Sequence, residues 1–166
     1  MKNEKEHNTH TDHNLHSNHY GKLLTMTVVS FIAMYILMYA MVNTFSNVFP
    51  NVNQFYMAGL MTSAMVIIEL AIMGSMYINK KMNVGIMAVS TLTLVAFFVL
   101  IKQQSAVSDK QFLKSMIPHH AGAILMCEEA NIKDPEIKRL CAEIVSGQRK
   151  EIAEMKSKLD RLKNTK

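Results

Sequence analysis

The side chains in this sequence best suited to chemistry are imidazoles and thioethers. Two adjacent histidines, His119 and His120, follow Met116-Ile117-Pro118, and Met126, Gln148, Glu151 and Met155 come after them. Five further histidines, His7, His10, His13, His16 and His19, fall at every third position of a polar N-terminal stretch. Imidazole nitrogen with thioether sulfur suits Cu⁺ or Ag⁺, and imidazoles alone also take Cu²⁺, so a copper ion is the expected cargo. An all-carboxylate set would indicate hard ions or a di-iron centre, but no Glu-x-x-His repeat surrounds the histidine pair. The sequence has no nucleophile elbow, phosphate loop or paired-carboxylate signature, so no enzymatic step is expected.

Each of these residues also has a plainer use. Methionine fills irregular gaps between helices, and most of the 15 methionines lie between Gly21 and Ile101. Adjacent histidines on a helix point about 100° apart, so only one of His119 and His120 faces a given neighbour squarely. The histidine-rich stretch is either a metal-loading arm or simply a solvated tail.

The elements that must position these groups divide by composition. Residues 1–22 are rich in Asn, Lys, Glu and His with almost nothing apolar, and they predict a disordered tail. Residues 23–101 predict three transmembrane helices, at about 23–42, 55–78 and 84–101. An apolar helix of this length, at about 1.5 Å per residue, crosses a hydrocarbon core of about 30 Å. No small-residue cleavage site follows the first span, so it is expected to be retained. Lys2, Lys5, Lys22, Lys80 and Lys81 fall on one side of the three spans and the 43–54 loop is uncharged. This bias predicts a cytoplasmic N-terminus and an extracytoplasmic C-terminal part.

The second span carries Met57, Met61, Met65, Glu69 and Met73 at steps of four, a stripe that winds slowly around a helix. A carboxyl in the bilayer costs about 2.5–3.5 kcal/mol on insertion scales, so Glu69 is expected to face another helix or a wet cavity. It is either a weak ligand on a soft-metal path or a neutral group bonded to a neighbouring helix. Three helices make a thin wall for a pore, so transport would require a homo-oligomer or a partner transporter.

Residues 102–107 read as a linker and 108–166 as an antiparallel helical hairpin. Ser108 or Asp109 caps a first helix, and Pro118 kinks it just before the histidines. Asn131-Ile132-Lys133 turns the chain, Asp134 caps a second helix and Pro135 starts it. Ile137, Leu140, Ile144, Ile152, Met155, Leu159 and Leu162 supply its apolar face. An antiparallel pair places Gln148 and Glu151 opposite the two histidines, and Cys127 near Cys141. The cysteines have three readings: a disulfide staple, soft-metal ligands, or packing. The net charge of +5 is mild, and bases alternate with acids after Lys102, which speaks against a nucleic-acid partner.

The run Phe112-Leu113-Lys114-Ser115-Met116-Ile117-Pro118-His119-His120, with Ala123, Met126, Asp134-Pro135-Glu136, Gln148, Glu151-Ile152 and Met155, resembles the bacterial family called domain of unknown function 305. The resemblance implies a ferritin-like helical domain, a bacterial cell membrane location and a role in copper homeostasis or resistance. On that basis Met116, His119, His120, Met126, Gln148, Glu151 and Met155 are the expected metal ligands. Cys127 and Cys141 depart from the family, which more often has small residues there. The resulting expectation is a membrane-anchored, all-α protein that binds, sequesters or hands over copper or silver ions. The alternative is a membrane adaptor whose hairpin binds a partner such as a metal-exporting pump.

Overall fold

The apolar runs and the charged, periodic C-terminal segment all become helices. The computed structural model describes residues 3–164, with side chains from His19 to Asn164, and contains no strand among them. Helix α1 spans Asn3–Leu37, α2 Val52–Met73, α3 Lys80–Lys102, α4 Asp109–Glu129 and α5 Pro135–Asn164. Short 3₁₀ turns occur at Met38–Met41, Phe45–Asn47 and Gly74–Met76.

Residues 3–22 continue the helix of the first apolar segment, where composition predicts a disordered tail. Once an apolar stretch has nucleated a helix, each added residue contributes a hydrogen bond without a new nucleation cost. The side chains of His7, His10, His13 and His16 lie outside the described ones.

The chain forms two units. One comprises Met1–Tyr35 and Tyr56–Gln103, the other Ile36–Phe55 and Gln104–Lys166. Three stretches of the chain, His19–Met41, Val52–Met76 and Lys80–Lys102, are long and apolar enough to cross a membrane.

In the first unit the buried residues of α2 are Tyr56, then the small and polar Ala58, Gly59, Thr62 and Ser63, then Val66 and Leu70. A Cβ placed on Gly59 would come within 2.3 Å of the Phe97 ring, so glycine is what lets α3 approach. Met57 and Met61 are exposed, whereas Met65 and Met73 pack against Leu23, Val66, Leu70 and Tyr77. The methionine stripe is therefore split between two sides of α2. Helix α3 has no buried residue at all. At one end of the unit Tyr20 donates to Asn83 at 2.7 Å, Asn83 donates to the Tyr77 carbonyl at 2.7 Å, and Asn79 caps α3 through the Met82 amide.

The second unit buries apolar residues in the pattern of a water-soluble helix pair. Leu113, Ile117, Ala121 and Ile124 of α4 meet Ile152, Met155 and Leu159 of α5. Val42 and Phe49, from the segment joining α1 to α2, pack on the same core. Asp134 caps α5 as expected, accepting from the Glu136 and Ile137 amides at 2.8 and 3.1 Å. Ile137 and Leu140 are exposed, contrary to the apolar face read from spacing, because the packed surface of α5 begins only near Val145.

Helix α4 runs unbroken through Pro118. Proline supplies no amide hydrogen, so the carbonyl four residues earlier, on Lys114, loses its helical partner. The Asn51 amide nitrogen donates to that carbonyl at 3.4 Å, and the Asn51 side-chain oxygen accepts from the Gln54 amide at 2.9 Å, capping α2. Gln111 accepts from the Val52 amide at 3.1 Å, and Asn53 donates to Gln104 and Ser115 at 3.0 and 3.3 Å. A polar seam thus ties residues 51–53 to the start of α4.

Candidate functional site

The α4–α5 seam holds the most chemically distinctive contact. His120 is buried on the core side of α4 while His119, 100° around the helix, is exposed. His120 Nδ1 lies 2.9 Å from the Met116 carbonyl oxygen, and Nε2 lies 2.7 Å from Glu151 Oε2 on α5. A carbonyl oxygen can only accept, so Nδ1 carries a hydrogen, and Nε2 is the nitrogen that faces the carboxylate. At 2.7 Å the two atoms are at hydrogen-bond distance, with a proton between Nε2 and the carboxylate.

The Glu151 side chain is 56% exposed and that of His120 only 10%, so the pair has one buried member and one open to solvent. The His119 ring stands 6.1 Å from the His120 ring, edge on. The other expected ligands are distributed differently. Met155 is buried in the hydrophobic core and Met116 packs against it, so both thioethers fill space in this arrangement. Met126 is 53% exposed near the far end of α4, and Gln148 is half-buried.

Among the described residues, no group of three or more His, Cys, Asp or Glu side chains converges on one point. The histidine–glutamate pair therefore offers one imidazole nitrogen and one carboxylate, and further donors would have to move toward it.

Cys127 on α4 and Cys141 on α5 are free thiols, so no disulfide staples the helices. A hydrogen bond to Cys141, reinforced by burial, pushes the Cys127 thiol up to about 11. Both line a cavity of about 670 Å³ with Ile132, Lys138, Val145 and Arg149. Arg149 is ion-paired with Glu128 across the same helices. In the first unit Glu69 accepts from the hydroxyl of Tyr77 at 3.3 Å, a residue just past the end of its own helix and not on a neighbouring one.

Sequence reasoning missed Asn51, Asn53 and Gln111, which position α4, and Gly59 and Ser63, which let α2 be approached. A small residue recurring at a step of four was the available signal for the latter pair.

Residues 78–159 match the family described as domain of unknown function (DUF305). An uncharacterized protein of Acanthamoeba polyphaga mimivirus is 36% identical over 148 residues, covering 85% of this chain and 93% of that protein. No solved structure matches.

Proposed function

The chain belongs to the domain of unknown function (DUF305) family, and from its side-chain geometry we propose that it is a membrane-anchored protein that binds copper-like metal ions and sequesters them or hands them on. The observation that carries this reading is the 2.7 Å approach of His120 Nε2 to Glu151 across two helices. A metal ion entering there replaces the shared proton. The Nδ1 bond to the Met116 carbonyl holds the ring with its other nitrogen outward, as second-shell bonds do for ligating histidines. His120 and Glu151 would hold the ion, and His119 and the Met116 thioether would have to turn toward it to complete a donor set suited to Cu⁺ or Ag⁺.

The anchor is three membrane-spanning helices, with α4 and α5 as a helical hairpin on the extracytoplasmic side. Lys22, Lys80 and Lys81 mark the opposite, cytoplasmic side. The packing of Val42 and Phe49 on the α4–α5 core supports this arrangement. With three crossings, the first connection and the segment after the third span emerge on the same side.

A second reading, a membrane adaptor, draws on Met126, Ile137 and Leu140, which are 53%, 49% and 54% exposed. Apolar side chains left open beside the turn suit a partner protein, such as a metal-exporting pump or a second copy.

The test is a competitive Cu⁺ titration of the full chain in detergent micelles, with both cysteines changed to serine and His7, His10, His13, His16 and His19 changed to alanine so that only this site is read. Residues 36–55 belong to the same unit as α4 and α5, so the whole chain is the proper sample. Tight binding of about one ion, lost with His119→Ala and His120→Ala together, is the expected outcome. Equal, weak binding by both proteins sinks the metal reading, and partner capture that ignores metal then favours the adaptor.

A further inference from the structure

Helices α1, α2 and α3 of the first unit line a cavity of about 340 Å³. That volume falls in the range of about 300–1,000 Å³ that small-molecule pockets occupy. We propose that this cavity takes an apolar molecule bearing one hydroxyl, a lipid-soluble aliphatic alcohol. The inference is independent of the metal reading and rests on the membrane reading alone, since the bilayer is where such a molecule would come from.

The walls define the chemistry. No charged side chain lines the cavity, and Phe31, Val66, Val89 and Phe97 give it apolar surface. An ion entering there would lose its hydration with no opposite charge to replace it. Five hydroxyls interrupt that surface, those of Thr27, Thr62, Ser63, Ser90 and Thr93, and each of the three helices supplies at least one.

Four of the five have their hydrogens already engaged. Thr27 donates to the Leu23 carbonyl, Ser63 to that of Gly59 and Thr93 to that of Val89, each at 2.8 Å. Thr62 donates to the Met34 sulfur at 3.5 Å. A hydroxyl has one hydrogen to give and two lone pairs, so these four offer acceptors only. Ser90, half-buried on α3, has no hydrogen bond among the described residues, and its hydrogen is available as well.

That inventory selects the ligand. An ether or a ketone can accept from Ser90 but cannot donate, and it leaves acceptors facing acceptors. A water molecule needs about two to four polar partners and covers none of the apolar wall. An alcohol hydroxyl uses both kinds of partner. It donates to a lone pair of Thr62 or Ser63, the two buried hydroxyls, and accepts from Ser90, while its hydrocarbon chain lies against the phenyl and valine walls.

The experiment uses the full chain in micelles and an octanol carrying a photoactivatable diazirine. Adducts located by mass spectrometry should fall on the cavity-lining stretches of α1, α2 and α3. Unlabelled 1-octanol should compete about tenfold better than its methyl ether, which keeps the chain and the acceptor but has no hydrogen to donate. Thr62→Val, Ser63→Ala and Ser90→Ala together remove the assigned partners with little change in shape, and the preference for the alcohol should vanish. Thr62→Ser alone should keep it. Helical circular dichroism of each variant reports the fold.

The proposal is overturned if alcohol and ether compete equally with the parent chain, if the triple variant keeps the preference, or if adducts lie only on outward residues such as Ile72 and Leu92. Retention of the chain by membranes washed with alkaline carbonate is scored apart. Release there sinks the membrane reading, whereas equal competition in micelles sinks the cavity proposal and leaves the anchor untouched.

Discussion

The two units of this chain bury opposite things. Between α4 and α5 the inside is Leu113, Ile117, Ile124, Ile152 and Leu159, and the outside is charged, as hydration demands. In the first unit the inside of α2 mixes Ala58, Gly59, Thr62 and Ser63 with Tyr56, Val66 and Leu70, while large apolar side chains such as Ile72 and Leu92 are 76% and 71% exposed. The same force cannot assemble both. Water drives Ile117 inward, but in lipid an exposed leucine costs nothing, and helices meet where small residues allow close van der Waals contact. Exposure in the first unit is what three helices long and apolar enough to cross a membrane would show if lipid were their solvent.

That comparison can be broken most forcefully in the second unit. Ile117 is fully buried, so Ile117→Ala should cost about 4 kcal/mol through lost transfer energy and a residual cavity. Thermal unfolding followed by circular dichroism in micelles would show it, and a cost below 1 kcal/mol would mean that this core is not the one that holds α4 to α5. The first unit calls for the reverse experiment. Leu92 has no partner to lose, and in water its replacement by arginine would be nearly neutral; in a membrane, Leu92→Arg should cost about 3 kcal/mol of insertion. Extraction of membranes with alkaline carbonate should release more of this variant than of the parent, and equal retention would argue against a lipid-facing α3.

A smaller effect sharpens the argument about small residues. Gly59→Ala drives a methyl into the Phe97 ring and should cost about 2 kcal/mol, with part regained when Phe97→Leu makes room. Were the single variant neutral, α3 would not rely on close approach at this point.

How much of this was visible in the sequence differs between the units for the same physical reason. Long, nearly uncharged runs announce apolar helices directly, and helices long and apolar enough to cross a membrane fall on the expected segments. Asp134-Pro135 announced the start of α5, and mirror spacing about the turn brought Glu151 to His120. Periodicity alone could not say which apolar residues of α5 find a partner, so Ile137 and Leu140 were read as buried. The family resemblance gives Met116 and Met155 a ligand role, whereas Met155 lies in the core and Met116 packs against it, since a thioether packs as well as it coordinates. The role of Asn51 was beyond any local pattern. It lies 63 residues from the carbonyl it serves, and only the folded chain brings the two together.

Asn51 supplies the next prediction. Asn51→Ala removes the cap on the Gln54 amide and leaves the Lys114 carbonyl without its donor, at a combined cost of about 1.5 kcal/mol. Asn51→Asp keeps the cap and loses only the donor. Pro118→Ala restores an amide hydrogen for Lys114, so in that background the aspartate should cost less than in the parent, and unchanged cost would separate Asn51 from the proline.

The last effect is a pH dependence confined to the second unit. The Cys127 thiol is raised from 9.0 to about 11 by its hydrogen bond to Cys141 and then by burial, which means the folded chain holds that proton more firmly than the unfolded chain. A group whose folded value is raised contributes its stability in full below the unfolded value and loses it as the pH climbs through the folded one. The difference in stability between the parent and Cys127→Ser should therefore be constant below about pH 8 and shrink between roughly pH 9 and 11. Denaturant unfolding at several pH values, with thiolate absorbance recorded alongside, measures both sides of the linkage. A difference that grew with pH would mean that the thiolate form is the one the fold prefers, and the shared proton between the two sulfurs would have to be abandoned.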